Sequence, residues 1–507
     1  MPQAQVSMES ILTDQQMIDI IYNGLPKTQA PKNIIVVGAG ISGLVTASLL
    51  KEAGHNVTIL EANERIGGRI FTDRTSFYAG QYMENGAMRI PNIHHLVLSY
   101  INKFNLPIEE FINSAPTDLI YINGIRTTQA IYEKNPDILG FPVAPSERGK
   151  TAEQLLQYAI KPVVDFINKN PKKNWDIIIK QFDRYSMEYY LKYNPYGKTL
   201  SVGAIDMIKV VLGLEGFPEL SFTSILREVM ILFTPNLKFY EIVGGNDQLP
   251  RSFIPQLSEN IYFNQKMMRI EQQDSKVTIH TIDTKTSIPY SVTGDLVIIA
   301  IPYSVLNFVE IVPRDLFSYN KYKAIRQLHY VASTKIGLQF RSRFWEKEGN
   351  VGGKMISDLP IRYSYFPSQQ IGTSGPGVVL ASYTWEDNAS LWDSQSEQDQ
   401  IKYALQGLAV IHGPEVYSEF IKGSSFSWSK NPFSAGAFAI FKPDQQTEIA
   451  PFIPTPEGNI HFAGDHTSTA PGWIQGAIES GIRVSHEVND LVTTHENEEN
   501  SNYTLNE

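Results

Sequence analysis

The sequence predicts an α/β protein: a Rossmann-like dinucleotide-binding domain, a second domain built on a mixed sheet, and a helical insertion. Three observations lead there. From Asn33, NIIVVGAGISGLVTASLLKEAGHNVTILEAN reads as apolar strand, glycine turn, helix with apolar residues at 3.6 spacing, a Gly54 stop and a second strand, which is a βαβ unit. Between about 130 and 240, TAEQLLQYAIKPVVDFINK, NWDIIIKQFDRYSMEYYLKY and GAIDMIKVVLGL carry helical periodicity with little strand signal. Strands resume with NIYFNQKMMRIEQQ, SKVTIHTID and GDLVIIAIP and alternate with helices to about 425, which suggests two sheets assembled from non-contiguous pieces.

The remaining elements follow in order. Residues 1–30 read as an arm carrying an amphipathic helix, with acidic residues and no uninterrupted apolar run of the kind a signal peptide has. LIYINGIR at 119–126 is a hairpin around Asn123-Gly124. GWIQGAIESGIRVSHEVNDLV places Gly, Ala and Ile at helical spacing for close packing, and the acidic, polar 489–507 reads as a disordered tail. The expected division is 31–75, 241–325 and 425–488 for the dinucleotide domain, 76–129 and 326–424 for the substrate domain, and 130–240 for the helical domain. A chain of 507 residues exceeds what one core usually supports, in keeping with several units.

Composition excludes several kinds of chemistry. The net charge of −10, without a Lys/Arg cluster, argues against nucleic acid and anionic membrane as partners. Zero cysteines rule out disulfides, thiolate nucleophiles, Cys-ligated metals and a cofactor attached through sulfur. No segment approaches about 18 continuous apolar residues, so a cytoplasmic protein is expected. His94-His95 lacks further ligands at metal spacing, and no metal is expected. The sequon Asn502-Tyr503-Thr504 reads as a chance match.

Gly38, Gly40 and Gly43 have the G-x-G-x-x-G spacing between strand and helix. The first permits the turn, the second lets backbone approach a pyrophosphate, the third lets helix pack on strand, and Ile41 and Ser42 open the helix whose N-terminus faces the phosphates. Glu61, followed by Ala62, ends the second strand 18 residues beyond Gly43, where a carboxylate can accept from ribose hydroxyls. The choice between NAD and FAD turns on ERIGGRIFT (Glu64–Thr72), whose paired glycines and two cations, Arg65 and Arg69, suit a second phosphate-binding approach and favour FAD.

With these blocks, and with ENGAMRIP (84–91), GGNDQLP (244–250) and HFAGDHT (461–467) following in order, the chain resembles the flavin-dependent amine oxidase superfamily over nearly its whole length. The GAMRIP block resembles the L-amino acid oxidase branch. That resemblance implies FAD held non-covalently and Arg89 gripping a substrate α-carboxylate, with Tyr383 of LASYTWEDNA beside it. It implies Lys335 of VASTKIGLQFRSRFW at the flavin N5 edge through a water, where a cation would help oxygen react, and Phe438 and Trp473 as the aromatic pair in front of the flavin. Gly68, Ala87, Met88, Met267, Trp428, Gly464, Asp465, Gly472 and Ile474 are its further implied cofactor contacts.

Three departures stand out. Ala437 occupies the place of a flavin-linking cysteine in some relatives, Asp465 that of a frequent glutamate, and residues 215–240 contain no histidine where some amino acid oxidases carry a base. The resemblance implies oxidative deamination of an L-amino acid to a 2-oxo acid, ammonia and hydrogen peroxide, with oxygen as acceptor and a homodimer or larger assembly. Open alternatives are an amino acid 2-monooxygenase giving an amide, a simple amine oxidase, and a non-catalytic flavin-binding protein. Candidates for substrate side-chain contact are Glu228, Met230 and Phe233, in the insertion where the resemblance is loosest.

Overall fold

The protein, seen in a computed structural model, is described over residues 12–503. Its organising layer is a five-stranded, all-parallel sheet in the order Ile261–Tyr262, Asn56–Leu60, Asn33–Val37, Leu296–Ile299, Ile460–Phe462. Both faces are covered, as parallel sheets require. Along Ile34–Val37 the side chains alternate between two cores: Ile34 and Val36 join the helices Ile41–Ala53 and Ile474–Tyr503, while Ile35 and Val37 join the residues below. The C-terminal helix lies against the first through small residues. A Cβ at Gly481 would stand 2.8 Å from the Ser42 carbonyl oxygen, and Ser42 Oγ and Ser480 Oγ are 2.9 Å apart.

A four-stranded sheet (Pro289–Gly294, Lys276–Asp283, Gln265–Gln273, Glu310–Val312) flanks this layer. The second large layer is a seven-stranded mixed sheet, ordered Phe420–Ser427, Ser333–Phe340, Gly377–Trp385, Tyr363–Tyr365, Lys354–Ser357, Leu119–Ile122, Ile125–Thr128. The last two strands are the expected hairpin, with Asn123 and Gly124 both at positive φ, 54° and 75°, as the tightest hairpin turn requires. Two smaller sheets, Thr72–Asp73 with Met83–Glu84 and Ile90–Pro91, Phe239–Ile242, Ile108–Phe111, join the layers, so the architecture has more sheets than the two expected.

A register irregularity between the central strands of the seven-stranded sheet positions the site. Val379 and Ala381 pack into the outer core with Ile336 and Leu338, and strict alternation would send Tyr383 to that same side. The pairing shifts between Ile336 and Gly337, so beyond the shift Tyr383 lies opposite Lys335 and both face the interior cavity.

The helices Ala152–Lys169, Pro171–Phe182, Met187–Lys192, Val202–Val211 and Phe222–Leu232 form the insertion. Thr151 opens the first by a reciprocal capping box with Gln154. Where one helix was expected over NWDIIIKQFDRYSMEYYLKY, two form, because the Ser186 hydroxyl accepts from Tyr189 N–H and restarts the helix. The arm carries the helix Asp14–Asn23; residues 1–11 of that expected element lie outside the described residues. The segment from 489, expected as a disordered tail, instead continues the last helix to Tyr503, and residues 504–507, with Thr504 of the sequon, lie outside the described residues. Among the described residues no helix is long and apolar enough to cross a membrane, and no group of three or more His, Cys, Asp or Glu side chains could hold a metal ion.

Candidate active site

One cavity of about 1290 Å³ runs from the carboxyl ends of the parallel strands to the helical insertion, and every candidate residue named above for the cofactor lines it except Gly43. Gly43 stands behind the wall: a Cβ there would lie 2.0 Å from the Gly38 carbonyl oxygen, so only glycine lets the helix sit this close to the loop. Gly38 has φ 109° and Gly68 φ 57°, and a Cβ on Gly68 would come within 3.2 Å of Gly40 Cα. Gly40 caps Ile41–Ala53 without a side-chain hydrogen bond, leaving the first backbone N–H groups of that helix for an anion. Glu61 bridges loop and strand, its Oε2 accepting from Ala39 N–H (2.7 Å) and Oε1 from Asn63 N–H (2.8 Å); burial pushes its carboxyl above the usual range against those bonds. A bare-backbone cradle, an uncapped helix start and a buried carboxylate one strand away fit the pyrophosphate and ribose of a dinucleotide.

The ERIGGRIFT cations have partners of their own. Arg65 sits 4.1 Å over the Phe71 ring, and Arg69 pairs with Asp465 while also donating to the Ala437 carbonyl (3.2 Å). Burial pushes Asp465 up, but Arg69, His466 and the Gly472 N–H (3.0 Å) hold it below the usual carboxylate range. Arg69, expected at a phosphate, and Asp465, expected as a cofactor contact, are joined by the fold in one ion pair at the cavity wall. Trp428 Nε1 donates to the Asn85 carbonyl (2.8 Å), tying down the irregular segment that carries Ala87 and Met88, and buried Met267 lines the same cavity.

Lys335 is 1% exposed, donates to the carbonyls of Glu84 (3.0 Å) and Gly86 (2.7 Å), and faces the Tyr383 ring at 4.5 Å. Burial pulls its ammonium down to about 7, opposed by Glu84 and reinforced by Arg89. Two of its three protons are committed to carbonyls, which leaves one donor for the cavity. The backbone around Gly472, φ 83°, brings Phe438 close: a Cβ there would meet the ring at 3.2 Å. Trp473 stacks edge-on to His94 at 4.9 Å and donates its indole N–H to Glu228 Oε2 (2.9 Å).

Arg89 is half-buried, and its guanidinium is held by neutral groups: the Asn113 side-chain oxygen, Tyr365 OH (3.3 Å), and the rings of Phe239 and Tyr365 at 5.1 and 5.8 Å. Among the described residues no carboxylate lies within 4.0 Å of it. Tyr383, expected to bind the carboxylate alongside this arginine, lines the same cavity and packs against Trp385 at 4.4 Å; the tyrosine hydroxyl bonded to Arg89 itself is that of Tyr365, on the neighbouring strand. Asn113 and Tyr365 escaped sequence reasoning, because neither stands in a motif and only the pairing of distant strands brings them to Arg89. Of the three side-chain candidates, Glu228 and Phe233 line the cavity, whereas Met230 packs against the core of the insertion.

Fold and site together define a dinucleotide-dependent oxidoreductase whose cavity is lined from both the parallel sheet and the seven-stranded mixed sheet. The chain belongs to the flavin-containing amine oxidoreductase family, whose model matches residues 41–489, and FAD is its cofactor. The chain has no cysteine to form a thioether with the flavin. It is 52% identical over 484 residues to YobN of Bacillus subtilis (strain 168), covering 96% of this chain and all of that one. It is 35% identical over 475 residues to the L-amino-acid oxidase of Siganus canaliculatus, covering 94% and 88% of the two chains. The fold superposes on cyclohexylamine oxidase from Brevibacterium oxydans IH-35A with a TM-score of 0.73 at 17% identity, over 92% of this chain and all of that one.

Proposed function

We propose that the chain oxidises an L-amino acid to its 2-oxo acid, releasing ammonia and passing two electrons to oxygen to give hydrogen peroxide. One observation carries the reading: Arg89 presents a guanidinium to the cavity with only neutral side chains in contact with it, and a planar fork of donors not paired to a carboxylate of the protein suits a carboxylate of a ligand. The names of relatives at 35–36% identity from Siganus canaliculatus and Vipera ammodytes ammodytes, both L-amino-acid oxidases, support it.

In this reading Gly38, Gly40, Ile41, Ser42 and Glu61 hold the adenosine and pyrophosphate part of FAD, and Ala87, Met88, Gly464, Asp465, Gly472 and Ile474 surround its inner part. When bound, the flavin accepts a hydride from the substrate α-carbon and supplies the electrons to oxygen. The protein's work is placement. Arg89, steadied by Asn113 and Tyr365, fixes the α-carboxylate; Trp473 and Phe438 confine the α-carbon and nitrogen; the surrounding apolar wall excludes bulk water. Lys335 would supply a cation to the cavity that holds the flavin, favouring the step in which electrons pass to oxygen.

The test is an anaerobic screen of the common L-amino acids and amines against the yellow holoprotein, followed by air and product analysis. Bleaching by an L-amino acid, with 2-oxo acid and peroxide formed, is expected. Amide and carbon dioxide would make the enzyme a monooxygenase, bleaching by amines alone would remove Arg89 from substrate recognition, and a yellow protein that nothing bleaches would defeat the catalytic reading.

A further inference from the structure

Glu228 lies on the helix Phe222–Leu232, and its carboxylate lines the cavity. Its Oε2 accepts from the Trp473 indole. Among the described residues no donor reaches Oε1, and that oxygen is not one of the enclosed, unpartnered buried atoms, so it opens to the cavity. Arg89 lines the same cavity, and the two are not within 4.0 Å of each other. Opposite charges that line one cavity without pairing each remain available to one end of a zwitterion, and burying either charge alone is costly.

We infer that Glu228 receives the α-ammonium of the substrate while Arg89 holds its α-carboxylate, and that Glu228 then takes one ammonium proton. In that step one N–H bond breaks, an O–H bond forms at Oε1, and no electrons are transferred. The nitrogen lone pair so released can form the C=N bond as the α-hydrogen leaves with its electron pair; an ammonium has no lone pair to give. The indole N–H of Trp473 fixes the carboxylate and ties the proton acceptor to the aromatic wall beside the reacting carbon. This assignment rests on the L-amino acid reading of Arg89.

Burial pushes the Glu228 carboxyl up to about 7, while the Trp473 hydrogen bond, Arg227 and Arg89 pull it down. Lys172, Asp176 and Lys180 of the helix Pro171–Phe182 line the same cavity, and His94 behind Trp473 is lowered by burial to about 4 and is neutral near pH 7. A carboxyl poised there is charged over part of the neutral range and still basic enough to accept a proton.

The experiment measures the anaerobic rate of flavin bleaching by the best L-amino acid from about pH 5 to about pH 10 in wild type, Glu228→Gln and Glu228→Asp holoprotein. Wild type should lose rate below about pH 7. Glu228→Gln keeps the side chain's size and an acceptor for the indole; its rate at neutral pH should fall about 100-fold and recover at high pH, where the substrate amine is already neutral, with Glu228→Asp restoring part of the acid limb. A Glu228→Gln profile that matches wild type, or a loss equal at every pH, overturns the inference while leaving the parent reading intact. A wild type bleached by no L-amino acid overturns the parent reading and this one together.

Discussion

Arg89 and Lys335 are cations in one cavity, and their surroundings give them different tasks. Arg89 has only neutral partners, so its charge is available to a ligand. Replacing it with Lys keeps the charge but loses the fork; KM for the L-amino acid should rise about 10- to 100-fold, with a smaller change for the corresponding decarboxylated amine, as steady-state assays of the pair will show. Lys335 is anchored by two carbonyls and brought down to about 7, so it stays partly charged at neutral pH without a carboxylate in contact. Lys335→Met should slow the reaction of reduced enzyme with oxygen on the order of 100-fold while anaerobic bleaching is nearly retained, a separation that stopped-flow mixing measures directly. At this scale the sequence pointed to Arg89 and Lys335 through their blocks, but not to Asn113 or Tyr365, whose only distinction is where distant strands deliver them.

At the scale of elements, the glycine loop and its helix were legible because strand, turn and helix are contiguous, and Gly43 answers a steric demand from Gly38 within the same loop. Gly43→Ala would push a methyl into the Gly38 carbonyl. The variant should purify with little or no bound flavin and with a lower melting temperature, read from the visible spectrum and thermal unfolding. The shifted pairing of Ser333–Phe340 with Gly377–Trp385 was not legible, since alternation along Gly377–Trp385 alone assigns Tyr383 to the outer core with Val379 and Ala381. Nor was the break at Ser186, where one hydroxyl cap outweighs continuous helical periodicity.

Over the whole molecule, the joint between the two large layers concentrates buried carboxyls. Burial pushes Glu84 to about 7, and burial with the nearby Glu109 and Glu84 pushes Glu241 to about 8. A carboxyl raised in the fold binds its proton more tightly there than when unfolded, so its contribution is most favourable below the ordinary value near 4.5 and is lost as pH rises toward 8. The protein should therefore lose stability across that window, and Glu241→Gln should flatten the loss and gain roughly 1–3 kcal/mol at pH about 8, measured by denaturant unfolding of the holoprotein. By itself the sequence determined the α/β class, the dinucleotide loop, the ordered family blocks, the absence of a thioether link and the arginine to watch, because each depends on contiguous residues or on composition. Only the tertiary structure decided that Arg69 and Asp465 pair, that Tyr365 bonds to Arg89, and that Glu228, bonded to the indole of Trp473, shares a cavity with Arg89. Those relations join residues more than a hundred positions apart, and strand register and helix docking set them, which no local pattern encodes.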